Sequence, residues 1–152
     1  MITRNTFGFG FYEASIRIAD ITGLNNAFWL TTDDHFEIDI GEIHYPNEVR
    51  LTLHNNNDWA TIKEDKMHAV GFDVKFKDNF AQNFHDYGVL WTDKEIIFEV
   101  DGDPVAAIMT DGSIKGPAQV RFSTAVTTFG GAIPDDPTGH AMSVRSLRVL
   151  PL

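Results

Sequence analysis

The 152-residue sequence contains no cysteine, which excludes disulfides, thiolate nucleophiles and cysteine-ligated zinc. It also has no apolar run close to the roughly 18 residues needed to span a bilayer, and its N-terminus has no apolar signal core. Basic residues are scarce, since 12 lysines and arginines stand against 22 acidic residues for a formal net charge of -10. We therefore expect neither a nucleic acid nor a membrane as partner.

Metal-ligating patterns are also missing. The histidines stand at positions 35, 44, 54, 68, 85 and 140, and none forms a helical ligand pair of the HExxH kind. Asp135 and Asp136 supply oxygen ligands that calcium prefers, but two acids make only part of a coordination shell. We expect no metal ion and no other cofactor.

Helical periodicity is absent, and apolar and polar residues instead alternate with period two, which is typical of strands. Turn residues such as Asp101-Gly102 and Gly130-Gly131 separate the alternating segments. This pattern predicts eight to ten short strands in an all-β domain of two antiparallel sheets, a sandwich or jelly roll. No linker or repeat divides residues 1–152, so we expect a single domain. The alternating segments cover residues 11–19, 36–40, 48–54, 70–76, 87–91, 95–100, 119–126 and 143–150.

The most informative segment is FEIDIGE, residues 36–42. Side chains two apart share a strand face, so Glu37 and Asp39 point to the face opposite Phe36 and Ile38. Glu42 has the wrong parity for that face unless one extra residue forms a β-bulge. Gly41 is best suited to the bulge, because glycine tolerates backbone angles that other residues avoid. The sequence therefore predicts three carboxylates on one face.

Crowded carboxylates repel one another and raise at least one pKa. A retaining glycosidase uses such a pair, one ionised carboxylate as nucleophile and one protonated carboxyl as general acid, about 5 to 5.5 Å apart. An acidic edge strand whose charges discourage aggregation explains the pattern equally well. The pattern alone leaves both interpretations open.

Glu37-Ile38-Asp39-Ile40-Gly41-Glu42 resembles the ExDxxE signature of family-16 glycoside hydrolases, in the bulged form of laminarinase-like, agarase-like and carrageenase-like members. Residues 7–30 and 83–105 are similar to that family's approach to the catalytic strand and to its later hairpin. The order and spacing are kept, so the resemblance covers nearly the whole chain. Members usually have several strands before the segment that begins here at Thr3, and residues 23–26 lack the tryptophan and proline common there.

The resemblance implies a concanavalin-like β-jelly roll with an open cleft for a polysaccharide. It implies that Glu37 is the nucleophile, Asp39 its supporting carboxylate and Glu42 the general acid/base. We expect Glu37 ionised and Glu42 protonated in the ground state, because like charges in close contact favour that split. The shortened N-terminal side leaves a sheet edge that a second copy could cover, so self-association is one expectation.

Three further residues are candidates for substrate binding. Trp29 either stacks on a sugar ring or packs in the core, and the pattern does not decide between them. His54 resembles the family's cleft histidine on the neighbouring strand. Trp59, after a loop rich in asparagine, is either a second aromatic platform or a loop anchor.

The sequence therefore favours a retaining endo-glycosidase that hydrolyses a β-linked polysaccharide, either a β-glucan or a marine galactan. The alternative is a non-catalytic carbohydrate-binding or structural β-sandwich module. A β-rich protein interaction domain would explain the alternation but not the three acids. The substrate class implies an extracellular or periplasmic location.

Overall fold

The computed structural model describes residues 1–31, 36–55 and 69–152. The described residues form eleven strands, whereas the periodicity predicts eight to ten. Within the described residues, no helix is long and apolar enough to cross a membrane. The strands are β1 (Ile2–Phe7), β2 (Gly10–Arg17), β3 (Leu24–Thr31), β4 (Phe36–His44), β5 (Glu48–Asn55), β6 (Ala69–Lys75), β7 (His85–Trp91), β8 (Glu95–Val100), β9 (Asp103–Met109), β10 (Ala118–Val126) and β11 (Ser143–Pro151).

The strands form two sheets, one of six strands in the order β1-β10-β3-β4-β5-β6 and one of five in the order β11-β2-β7-β8-β9. All neighbouring strands within a sheet are antiparallel. The predicted all-β jelly-roll sandwich is therefore confirmed.

The turn between β8 and β9 forms as its sequence predicts. Asp101 and Gly102 both have positive φ angles, 54° and 81°, and they join the paired residues Val100 and Asp103. Two central residues with positive φ are the requirement of a tight two-residue hairpin, which explains the Asp-Gly pair.

The facing sides of the two sheets hold one hydrophobic core. Tyr87, Val89 and Trp91, which alternate along β7, are all fully buried, and the Trp91 indole donates to the backbone oxygen of Ile114 at 3.0 Å. A buried indole needs such an acceptor. His85 is also buried, with Nδ1 2.8 Å from a carboxylate oxygen of Asp101.

The outer face of the six-stranded sheet is polar. Directly paired residues of neighbouring strands point to the same side of a sheet, and Trp29, Asp39 and Thr52 lie opposite one another across β3, β4 and β5. Glu37 pairs with His54 in the same way. The sandwich therefore presents one row of polar side chains across three central strands.

Strands β1 and β6 form the edges of the larger sheet, and β11 and β9 form the edges of the smaller one, among the described residues. Ile2 on β1 and Leu150 on β11 are exposed. Self-association through one of these edges stays a prediction.

Candidate active site

A β-bulge in β4 sets the geometry of the site. On the β5 side, Asp39 pairs with Thr52 and Glu42 with Arg50, so two residues of β4 stand opposite one residue of β5. The register with β3 shifts at the same point. This two-against-one arrangement is the bulge that the parity of Glu42 requires.

The two bulged residues both face the core. Ile40 is fully buried, and a Cβ added to Gly41 would meet the side chain of Ile43 at 3.2 Å and that of Val49 at 3.6 Å. Gly41 is not among the glycines with a positive φ. Close packing, and not backbone freedom, therefore favours glycine here, which corrects the reason expected from the sequence.

Glu37, Asp39 and His54 form a compact group. One ligand atom from each lies within 4.8 Å of the other two, and His54 Nε2 lies 3.1 Å from Asp39 Oδ2. Asp39 is 5% exposed and is also hydrogen-bonded to Glu37. Three such groups could hold a cation, but these hydrogen bonds account for the spacing by themselves.

Glu42 lies on the polar face and not in the core. Its Oε1 accepts a hydrogen bond from Asn25 Nδ2 at 2.7 Å, and it pairs across the sheet with Arg50. The Arg50 guanidinium itself binds Asp73 through two hydrogen bonds. All three predicted carboxylates therefore lie on one face of β4.

Burial and like charge raise the pKa of two of these acids. Burial is the largest cause that raises the pKa of Glu37 to about 8, and the charge of Asp39 adds to it. Burial, followed by Asp39, also raises the pKa of Glu42. The hydrogen bond to Asp39 raises the pKa of His54. Such perturbed groups in contact are typical of catalytic sites.

The expected ground state of the acids is only half matched. A raised pKa at Glu42 suits a general acid, as expected. Burial and the charge of Asp39 raise the pKa of Glu37 to about 8, a direction contrary to the expectation that Glu37 is the ionised acid.

Of the aromatic candidates, Trp29 lies beside the acids. It pairs with Asp39 on the polar face, which decides against core packing. Its indole donates to Ser123 Oγ at 3.2 Å, and the Arg121 guanidinium lies 4.9 Å from the ring centre. Trp59 falls outside the described residues.

The sequence profile described as "Glycosyl hydrolases family 16" matches residues 1–142. The chain belongs to this family. This match confirms the family that the ExDxxE segment predicts.

Individual relatives are named for glycan-processing enzymes. The chain is 28% identical over 138 residues to "Endo-1,3-1,4-beta-glycanase EglC" of Rhizobium meliloti, covering 88% of this chain and 28% of the relative. It is 28% identical over 131 residues to "Probable xyloglucan endotransglucosylase/hydrolase protein 27" of Arabidopsis thaliana, covering 79% of this chain and 37% of the relative. The chain thus spans about a third of the length of these relatives.

A solved structure shares the fold. The Bacteroides ovatus mixed linkage glucan GH16 protein, in complex with a G4G4G3G product, matches with a TM-score of 0.78 at 18% identity, over 97% of this chain and 71% of that one. At this identity the likeness shows the fold alone.

The site includes polar residues that the sequence did not single out for function. Asn25 lies in the segment that departs from the usual family pattern, and His44 is buried at the end of β4 beside it. Phe129 follows β10, and its ring contacts His44 edge-to-face at a centroid distance of 4.8 Å. If β3 had been predicted with its register to β4, Asn25 would have been placed on the same face as Trp29. The sequence of β3 does not alternate, so it gives no such register.

Proposed function

We propose that the chain is a retaining endo-glycosidase that hydrolyses a β-linked polysaccharide by double displacement. Glu37 is the nucleophile, Asp39 its supporting carboxylate and Glu42 the general acid/base. The single observation that carries this proposal is the β4 bulge, which brings Glu42 onto the face that Glu37 and Asp39 occupy. A binding module or an acidic edge strand has no need of three partly buried carboxylates in one row.

The first step breaks the glycosidic bond. Glu42 donates its proton to the leaving oxygen while the Glu37 carboxylate attacks the anomeric carbon, which forms a glycosyl ester. In the second step the Glu42 carboxylate removes a proton from water. The hydroxide oxygen bonds to the anomeric carbon, and Glu37 leaves as a carboxylate.

Glu37 must lose its proton before it attacks, because its pKa is raised to about 8. Asp39 shares a hydrogen bond with it and is therefore positioned to accept that proton. His54, whose Nε2 lies 3.1 Å from Asp39 Oδ2, holds Asp39 in place.

The polysaccharide crosses the polar face of the larger sheet. Trp29 offers an aromatic surface next to Asp39, and His54 offers a ring nitrogen near the reacting carbon; both are proposed substrate-binding residues, together with Trp59. The names of the curated relatives favour a β-glucan over a marine galactan. Such a substrate fits an extracellular or periplasmic location. We propose further that residues 1–152 form a single domain, and the one core that the two sheets share supports this proposal.

Transfer to a sugar acceptor is the second candidate reaction, since one relative is named a transglucosylase/hydrolase. The same glycosyl ester serves both outcomes. If a sugar hydroxyl replaces water in the second step, Glu42 removes the proton from that hydroxyl, and a longer chain is released. The ratio of lengthened to shortened products separates the two reactions.

The test is hydrolysis of laminarin, mixed-linkage glucan, xyloglucan, agarose and carrageenan by the wild type and by Glu37→Gln. We expect new reducing ends from at least one glycan, and a loss of about 10³-fold or more in kcat for the variant. Glu99→Gln, on the smaller sheet in β8, is the matched control and should keep full activity.

Glu37→Ala adds a check on the nucleophile. Azide should restore turnover to this variant, because the small anion attacks the anomeric carbon in the space left by the carboxylate. A wild type that binds a glycan without releasing reducing ends or transfer products would make the non-catalytic module the correct reading.

A further inference from the structure

Asn25 and His44 connect to Glu42 in a chain of directed contacts. The Asn25 amide donates from Nδ2 to Glu42 Oε1 at 2.7 Å. Its Oδ1 lies 3.2 Å from His44 Nε2. With Nδ2 turned to Glu42, Oδ1 faces His44 and can only accept, so His44 must carry its hydrogen on Nε2.

His44 is held in a fixed orientation. It is 5% exposed, and the ring of Phe129 packs edge-to-face against it with an interplanar angle of 86°. Its other nitrogen, Nδ1, lies 3.9 Å from Glu48 Oε1, which is too long for a hydrogen bond. Burial lowers the pKa of His44 although Glu48 opposes it, so a neutral ring with hydrogen on Nε2 is favoured.

We call the chain of contacts from His44 through Asn25 to Glu42 the Asn25–His44 arm. The charged groups that act on this arm lie on three strands. Asp39 on β4 and Arg50 and His54 on β5 act on Glu42. Glu48 and Arg50 on β5 and Asp73 on β6 act on His44. Arg50 is bound to Asp73, and its guanidinium lies 4.3 Å from the ring centre of Phe129. Among the described residues, the hydrogen bond to Glu42 therefore comes from the Asn25 amide.

We propose that Asn25 and His44 are positioning residues for Glu42. Asn25 occupies one oxygen of Glu42 and leaves the acid proton on Oε2, and His44 keeps the Asn25 amide from turning over. The assignment of Glu42 as acid/base rests on the proposed function, but the arm itself does not.

The experiment measures the pKa of Glu42 directly and does not depend on catalytic turnover. Carboxyl carbons of glutamate are labelled with ¹³C, Glu42 is assigned by its loss in Glu42→Gln, and its titration is followed by NMR in the intact chain. Asn25→Leu should raise the pKa of Glu42 by about half a pH unit or more, because a hydrogen bond that favours the charged form is lost. His44→Phe should raise it less, and His44→Gln, which keeps a donor, should restore the wild-type titration.

The matched control is Gln119→Leu, which also replaces an amide side chain by leucine on the same sheet face, in β10 opposite Thr31; it should leave the Glu42 titration unchanged. In the wild type, ¹⁵N spectra of His44 should show hydrogen on Nε2, which needs no variant to fold. Hydrogen on Nδ1 alone, or an unchanged Glu42 titration in Asn25→Leu and His44→Phe, would overturn the proposal.

Kinetics on an active glycan add a second readout. The limbs of kcat/KM against pH report the macroscopic pKa values of Glu37 and Glu42 together, so the limb to which Glu42 contributes should move to higher pH in Asn25→Leu, with kcat reduced and KM little changed. If no glycan is cleaved by the wild type, the proposed function fails, while the NMR titration still decides whether the arm exists.

Discussion

Asp39 is the residue on which the polar groups of the site converge. It contacts Glu37 on its own strand and His54 on β5, and its charge is the second cause of the raised pKa of Glu42. A buried carboxylate with these contacts sets the proton affinity of its neighbours more strongly than any exposed charge could.

Asp39→Asn should therefore lower the pKa of Glu37 from its value of about 8. The pKa should stay above the usual range, because burial is its largest cause and the substitution does not change it. The pKa of His54 should fall as well, since the hydrogen bond to Asp39 is the main cause that raises it. Carboxyl ¹³C and imidazole ¹⁵N titrations measure both.

Asp73→Asn is the control for this exchange, because Asp73 lies on the same sheet face but binds Arg50. It should leave the Glu37 titration where it is. If Asp39→Asn leaves it unchanged too, Asp39 does not act on Glu37 through charge or a hydrogen bond.

At the scale of the element, the alternation of core-facing and outward-facing residues in β4 shifts by one residue at the bulge. Before it, the core-facing residues are Phe36 and Ile38; after it, Ile43 faces the core. Ile40 and Gly41 together absorb the change, and Gly41 does so in close contact with Ile43. The strand thus keeps its core packing on both sides of the bulge while its acids stay on one face.

Gly41→Ala should destabilise the fold by about 1 to 3 kcal/mol, the usual cost of overpacking a filled core. The new methyl would lie 3.2 Å from the nearest atom of Ile43. Urea unfolding followed by tryptophan fluorescence measures the loss. Gly8→Ala is the matched control, since no atom of the described residues lies within 4 Å of a Cβ added there, and we expect a change within about 0.5 kcal/mol. Equal free energies of unfolding for the two variants would mean that the core accommodates a methyl group at position 41 without strain.

At the scale of the whole molecule, ionisation of the buried acids of the site lowers the stability of the fold as pH rises. Glu37 has a folded pKa of about 8 against an ordinary value of 4.5, so the folded state binds its proton more tightly than the unfolded state does. The stabilisation from that proton is complete below pH 4.5 and is lost as pH rises to about 8. Glu42 and His54, whose pKa values are also raised, contribute with the same sign.

Glu37→Gln removes this dependence. The variant should gain stability relative to the wild type as pH rises from about 4.5 to about 8, and the gap should be constant above that range. Urea unfolding of both proteins at half-unit steps of pH measures it. A gap that stays flat across the range, or narrows, would show that Glu37 titrates normally in the folded protein.

The sequence by itself determined the fold class, several strand positions and the parity of the three acids. Period-two alternation is a local property, and a β-sandwich core can be filled from many such segments. The same holds for the Asp101-Gly102 hairpin, whose backbone angles depend on two residues only. Strand β3 was found only through the resemblance, because its residues from Leu24 to Leu30 are buried on both faces at several positions and do not alternate.

Only the tertiary structure decided which side chains meet. The position of Trp29 on the polar face depends on its register with Asp39, and register across a turn cannot be read from periodicity. Burial of Glu37 against Asp39, which reverses its expected ionisation, and the Asn25–His44 arm depend in the same way on contacts between strands. Local alternation fixes which face a residue takes within its own strand, whereas proton affinity and orientation depend on neighbours that the fold brings from elsewhere in the chain.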